Sequence, residues 1–310
     1  MRSRHMGRDG GIALRVSGSD VLQQRSSTKG LPFDVWLSLT GLIGVLLAIA
    51  AGSGLFVRGL YRDTPFFAVQ AVAQDFITVA VVLPTILISA WCASRGSDRG
   101  RLMWLGALTY LVYSYVIDAF VVRYNPLFLV YVAMLGCALY ALIGGLVSTD
   151  MAGIRARFTE RTPVKTVSTF LALLAVIFYV VWLSEAVPAA LAGRTPLSVQ
   201  QNGTPSNAIH VLDMAWILPA CLIAAVTIAR KTPLGYTLAG ALLSFTVLLV
   251  LAVLSMVVFM VRAGYPIVLP QVVMFGVFFV LSVAILVWYL SGLQPSHRRD
   301  AGRSSVRRTL

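Results

Sequence analysis

Apolar residues along this chain gather into eight runs. Each run is long enough to cross the roughly 30 Å hydrocarbon core of a bilayer, which takes a helix of about 20 residues. The runs span 35–57, 71–94, 102–122, 127–147, 166–188, 209–229, 234–261 and 268–291, with short polar breaks between them. Backbone in hydrocarbon must satisfy its own hydrogen bonds, so such runs predict helices. The expected class is all-α, a polytopic integral membrane protein with eight transmembrane helices. The seventh run is long enough to tilt.

The balance of residue types agrees. A chain of 310 residues that is 58% hydrophobic and only 12% charged is too apolar for a soluble globule. Its net charge of +13 suggests nucleic acid until the charges are placed. Twenty of the 25 Lys and Arg fall before the first run, after each even-numbered run, or in the tail; the alternate loops hold only Arg58, Arg62, Arg123, Arg194 and Arg262. That asymmetry is the positive-inside pattern with both termini cytoplasmic (N-in/C-in), so no nucleic-acid partner is expected.

The organisation read from these breaks has five parts. Residues 1–33 are a disordered basic N-terminus without the apolar core of a cleavable signal, so the first run acts as signal and anchor. Residues 34–150 form a first four-helix half, 151–165 a cytoplasmic linker, 166–292 a second half, and 293–310 a basic tail suited to anionic headgroups. The use of 22 Arg against three Lys reads as GC-rich bacterial coding, which places the chain in a bacterial cytoplasmic membrane.

The two halves carry matching segments. Ala80–Ala90, around Pro84, agrees with Ala215–Ala225, around Pro219, at six of eleven positions with an offset of 135. Gly106-Ala107-Leu108 then matches Gly240-Ala241-Leu242, and Arg123 to Pro126 resembles Arg262 to Pro266. Four helices per half is an even number, so the repeats would be parallel, related by an axis along the membrane normal. Each proline is expected to kink its helix and free the carbonyl four residues earlier, at Ala80 and Ala215. Matched broken helices point to a binding site between halves. Stripes of small residues four apart, Gly44-Ala48-Gly52 and Ala133-Cys137-Ala141-Gly145, offer faces for close helix packing or for self-association.

Five ionisable residues lie inside the runs: Asp75, Asp118, Glu185, His210 and Asp213. Under the topology above, all five fall within about two turns of the outer ends. Charged groups in a bilayer are costly, and they usually face the bundle interior or a water-filled cavity. The repeat makes Asp75 equivalent to His210 and Thr78 equivalent to Asp213, with His210 expected to hydrogen-bond Asp213 one turn away. Facing one cavity, such a set can exchange protons near neutral pH. Of the tyrosines Tyr110, Tyr113, Tyr115, Tyr124, Tyr131 and Tyr140, Tyr124 is expected to be an interfacial anchor and the others to pack. Asn202-Gly203-Thr204 is a glycosylation acceptor pattern.

Several chemistries drop out. One histidine within the runs leaves no bis-histidine haem pair, and Cys92, Cys137 and Cys221 lack metal-ligand spacing. No nucleophile elbow, zinc-protease motif or phosphate-cradling loop is present, and neither metal nor cofactor is expected. Three readings remain. The first is a proton-coupled small-molecule transporter or permease with an outward-facing acidic site. The others are a non-catalytic membrane assembly partner and an outer-leaflet intramembrane enzyme.

Overall fold

The computed structural model describes residues 33–266 and 268–294. The expected disordered N-terminus and basic tail, apart from Phe33, Leu293 and Gln294, lie outside the described residues. Eight helices are long and apolar enough to cross a membrane: α1 (Phe33–Phe56), α2 (Pro65–Ser94), α3 (Asp98–Phe120), α4 (Phe128–Val147), α6 (Val164–Leu191), α8 (Ala208–Ala229), α9 (Pro233–Arg262) and α10 (Leu269–Ser291). This is the architecture of a multi-pass membrane protein. Two short helices, α5 (Met151–Arg157) and α7 (Leu197–Asn202), lie in connections. We call the end of the bundle that holds residues 33 and 294 the terminal end, and the opposite end distal.

Local chemistry sets the helix boundaries. Helix α2 begins six residues before its expected start, because Thr64 accepts the Phe67 amide at 3.2 Å and Pro65 supplies a preformed first turn. Asp75 therefore lies ten residues inside α2, about 15 Å along its axis. Ser97 caps α3 in the same manner through the Gly100 amide.

Both proline-bearing helices open into a π turn just before the proline, at Thr78–Val82 in α2 and Asp213–Ile217 in α8. The Leu83 amide reaches the Thr78 carbonyl and the Leu218 amide reaches that of Asp213, each five residues back. The next donor in that register would be Pro84 or Pro219, which has none. In that register the carbonyls five residues before the prolines, at Val79 and Met214, also lose their backbone donors. Tyr179 of α6 donates its hydroxyl to the Met214 carbonyl at 2.7 Å.

Helices α1 to α4 close on one another, α1 against α2 and α4, and α3 against the same two; α6, α8, α9 and α10 neighbour one another in the same order. The most buried spans, α3 and α9, cross at the centre. Gly106 has no room for a methyl because the Ala241 carbonyl and Ser244 lie against it, and Gly240 is covered by Leu102. Bare backbone at this crossing brings the helices close where lipid provides no hydrophobic drive. Hydrogen bonds tie other pairs: Trp104 Nε1 to Thr40 Oγ1 at 2.9 Å, Ser255 Oγ to the Ala73 carbonyl at 3.1 Å, and Tyr289 Oη to the Tyr236 carbonyl at 2.6 Å.

Only part of each small-residue stripe meets another helix: Gly44, Ala141 and Gly145 are buried against neighbours. Ala48 and Ala133 are exposed, and nothing lies within 4 Å of a methyl built on Gly52. An α-helix turns 3.6 residues per revolution, so a four-residue stripe drifts around it. The close approaches are Gly44 against Leu83 and Leu87 and Gly145 against Trp104, within the stripes, and Gly54 against Asp75 and Gly144 against Trp36, outside them.

At the terminal end, the expected linker folds as α5 and sews the bundle shut. Arg157 pairs with buried Asp98 at 2.8 Å, Arg155 Nε donates to the Lys231 carbonyl, and Arg99 donates to the carbonyls of Leu290 and Leu293. Phe158 sits between Tyr236 and Tyr289, with ring centroids 4.8 and 4.7 Å away.

Candidate functional site

The five ionisable residues separate into a pair of clusters on either side of the α3–α9 crossing. In the first, Tyr61, from the connection between α1 and α2, donates its hydroxyl to Asp75 Oδ2 at 2.5 Å. Gly54 of α1 makes this possible, since a methyl there would overlap the carboxyl and crowd the Tyr61 hydroxyl. Burial, reinforced by the charges of Asp75 and Asp118, pushes the Tyr61 phenol far above its ordinary value, so it remains a donor. Asp75 lines none of the distal cavities described below. Asp118 is half-buried at the end of α3, where it lines the smallest of them.

The second cluster joins three of the five. Asp213, first residue of the α8 π turn, accepts from Tyr113 Oη at 3.0 Å and from Trp182 Nε1 at 2.9 Å, one donor to each carboxylate oxygen. The indole of Trp182 also stacks on His210, with ring centroids 4.3 Å apart. His210 Nε2 faces Glu185 Oε2 at 3.7 Å, an ion pair when the imidazole is protonated. Glu185 Oε1 accepts the Ser198 amide at 2.9 Å. His210 thus partners Glu185 and not Asp213, because Trp182 from α6 takes the position between them. Both His210 and Asp213 are buried, while Glu185 is about 30% exposed.

Three of the participants were not singled out from sequence: Tyr61, Tyr113 as a partner, and Trp182 as the bridge. Tyr61 stands outside every run. Tyr113 lies 100 positions from Asp213, with no spacing that links them. Tyr140, expected to pack, is 65% exposed on α4, and Tyr124 is 75% exposed in the connection between α3 and α4.

Three cavities lie at the distal end, and a fourth, of about 630 Å³, opens at the terminal end beside Glu160, Lys165, Lys231 and Tyr236. The innermost, of about 180 Å³, is enclosed by α6, α8, α9 and α10 with α2 and α3. Its wall is mostly apolar, including Leu174, Phe178, Leu218, Phe245 and Phe275, and its polar groups are Asp213, Tyr113, Trp182, Thr246, Gln70, Gln74 and Gln271. A shallower cavity of about 60 Å³ runs from there past Asp118 to Asn202, Thr204, Ser206 and Asn207. It exists because α8 starts only at Ala208, after a loop, whereas α2 begins at Pro65 and reaches further. Asn202 is engaged within the fold, donating to the Ser198 carbonyl at 2.8 Å and accepting from Gln70 at 3.4 Å. A third cavity, about 480 Å³, lies between the distal ends of α2, α9 and α10. No group of His, Cys, Asp and Glu able to hold a metal ion occurs among the described residues.

Comparison with protein-family models, with curated proteins and with solved structures found no match to this chain.

Proposed function

We propose that this protein is a proton-coupled permease for a small molecule. In this reading it is built of two four-helix halves, with both termini cytoplasmic and the distal end facing outward. The observation that carries the reading is the setting of Asp213. Its carboxylate sits at a π turn, in the wall of the innermost cavity, and is held by Tyr113 from the other half. Substrate and coupling-ion sites of repeat-built carriers lie where the halves meet, at broken helices. The two π turns, Thr78–Val82 and Asp213–Ile217, differ by the offset of 135 that aligns the segments, which supports the repeat.

The mechanism follows from hydrogen-bond inventory. An ionised carboxylate only accepts; once protonated it donates. Proton uptake on Asp213 alters its bonds to Tyr113 and Trp182, and with them the contact between α3, α8 and α6. A π turn beside a proline lacks part of the helical ladder and is the natural place for the two halves to flex. The Arg157–Asp98 pair and Phe158 tie the helices together at the terminal end, and the cavity that reaches Asp213 adjoins the other two distal cavities, which supports an outward-open carrier.

A single cysteine at Gln74, which lines two of the cavities, tests this without a known substrate. In right-side-out vesicles, with Cys92, Cys137 and Cys221 replaced by Ala, an impermeant maleimide should label Gln74→Cys from outside. Divided by the rate of an exposed Tyr124→Cys control, which cancels the thiolate's own pH dependence, the rate should change several-fold between pH 5.5 and 7.5, and Asp213→Asn should remove that change. Equal normalised rates at both pH values, with and without Asp213→Asn, would sink the carrier reading.

A further inference from the structure

Gln70 and Met256 line all three distal cavities. Val253 and Gln271 are shared by the innermost cavity and the third one. The inner chamber therefore has two openings. One leads past Asp118 and Asn207 toward the distal surface. The other leads sideways, between the distal ends of α2 and α10 and over α9, and its rim carries apolar side chains directed at the bundle's outside: Val268 is 57% exposed and Val261 39%. A route lined by Val257, Met260, Val261, Val268 and Val272 at the ends of membrane-crossing helices, beside Tyr265 and Pro266 of the connection, suits entry from the lipid side.

The polar groups along this route are equally informative. Gln70, Gln201 and Gln271 stand at the rim, and Asp213 with Tyr113 stands at the inner wall. Among the described residues, no Lys, Arg or His lines any of the three cavities. A phosphate or carboxylate headgroup would find there a negative charge and no cation to offset its desolvation. Amides that both donate and accept suit a hydroxyl or an amine. The inner chamber, of about 180 Å³, has room for part of a hydrocarbon chain and adjoins the third cavity of about 480 Å³.

We infer that the permease's ligand is a single-chain amphiphile with an uncharged or cationic headgroup, admitted sideways from the outer leaflet through the α2/α9/α10 portal. Its headgroup passes the three glutamines, and its chain lies against Phe178, Leu218, Phe245 and Phe275. This rests on the carrier reading for its direction of movement, but the occupancy itself is independent of transport. Amphiphiles of this kind partition into the leaflet first, so the effective concentration at a lateral opening far exceeds that in water.

The probe is a medium-chain alkanol bearing a diazirine on its chain, photolysed with the full-length protein in nanodiscs and located by peptide mass spectrometry. Saturable labelling is expected at α9 residues 253–260 and at Phe178 or Trp182. The unlabelled alkanol and the matching alkylamine should compete at least tenfold better than the carboxylate of the same chain length. Met256→Trp, which fills the junction, should reduce inner labelling at least tenfold and leave Met260 labelled. Val253→Phe serves as a second plug should Met256→Trp fail to purify as a monodisperse protein. Equal competition by the carboxylate, labelling that does not saturate, or inner labelling unaffected by both plugs would each overturn the inference. Should the maleimide test show pH gating while labelling fails, the carrier stands with a water-soluble substrate. Should labelling hold while gating fails, the ligand class stands and transport does not.

Discussion

Tyr179 donates its hydroxyl to the carbonyl of Met214, the group that Pro219 leaves without a donor in the π turn of α8. The bond ties α6 to the break in α8 and lies directly after Asp213, so the local flaw in the helix is satisfied and the carboxylate is held in register. Tyr179→Phe should lower stability by about 0.6 kcal/mol, the average for such bonds between membrane helices, and by no more than roughly 1.7 kcal/mol. Thermal unfolding of the purified protein in detergent measures it. No change in either melting temperature or the environment of Trp182 would show that the carbonyl finds water or another partner.

Two glycines of α1 provide a matched comparison. Gly54→Ala forces a methyl into Asp75 and the Tyr61 hydroxyl, and overpacking of that kind typically costs about 1–3 kcal/mol. Gly52→Ala meets nothing within 4 Å and removes a flexible residue from a helix interior, so it should be neutral or stabilise by up to about 1 kcal/mol. Unfolding curves for the two variants side by side check this. Equal effects would mean that Asp75 does not rest on Gly54.

The Tyr61 phenol is held above its ordinary value of 10.0 in the folded chain, chiefly by burial and then by the charge of Asp75. A raised folded pKa stabilises fully below the unfolded value. That contribution falls as pH climbs past about 10, because the unfolded phenol then loses its proton, at roughly 1.4 kcal/mol per pH unit. The stability gap between wild type and Tyr61→Phe should therefore be constant up to about pH 9.5 and narrow by about 1 kcal/mol at pH 11. A gap independent of pH would place the Tyr61 hydroxyl in water.

At the terminal end, Phe158 is the apolar anchor of the α5 connection, set between Tyr236 and Tyr289. Truncation to Ala removes both aromatic contacts and should cost about 3 kcal/mol locally. The Arg155, Arg157 and Arg161 peptide bonds would then open to trypsin, and limited proteolysis should cut Phe158→Ala at least tenfold faster than the parent. Conserving the cleavage rate would mean that the Asp98–Arg157 pair alone holds the connection.

Much of the frame follows from one-dimensional pattern. Hydrocarbon demands long apolar helices whatever their neighbours, so eight spans can be counted from the chain, with Thr64–Pro65 shifting one start by six residues. Pro84 and Pro219 mark their breaks because a missing amide is a property of the residue itself. The ionisable groups are visible for the same reason: a charge in an apolar run is conspicuous without any partner being known. Partnership is different in kind. Whether His210 meets Asp213 or Glu185 depends on Trp182, carried by another helix, and whether Asp213 is held by Tyr113 depends on how α3 crosses α9. The sideways opening is set by where α2, α9 and α10 end relative to one another. Periodicity within one helix specifies a face, but the neighbour that covers it, and the gap left between two such neighbours, arise only when helices distant in sequence pack.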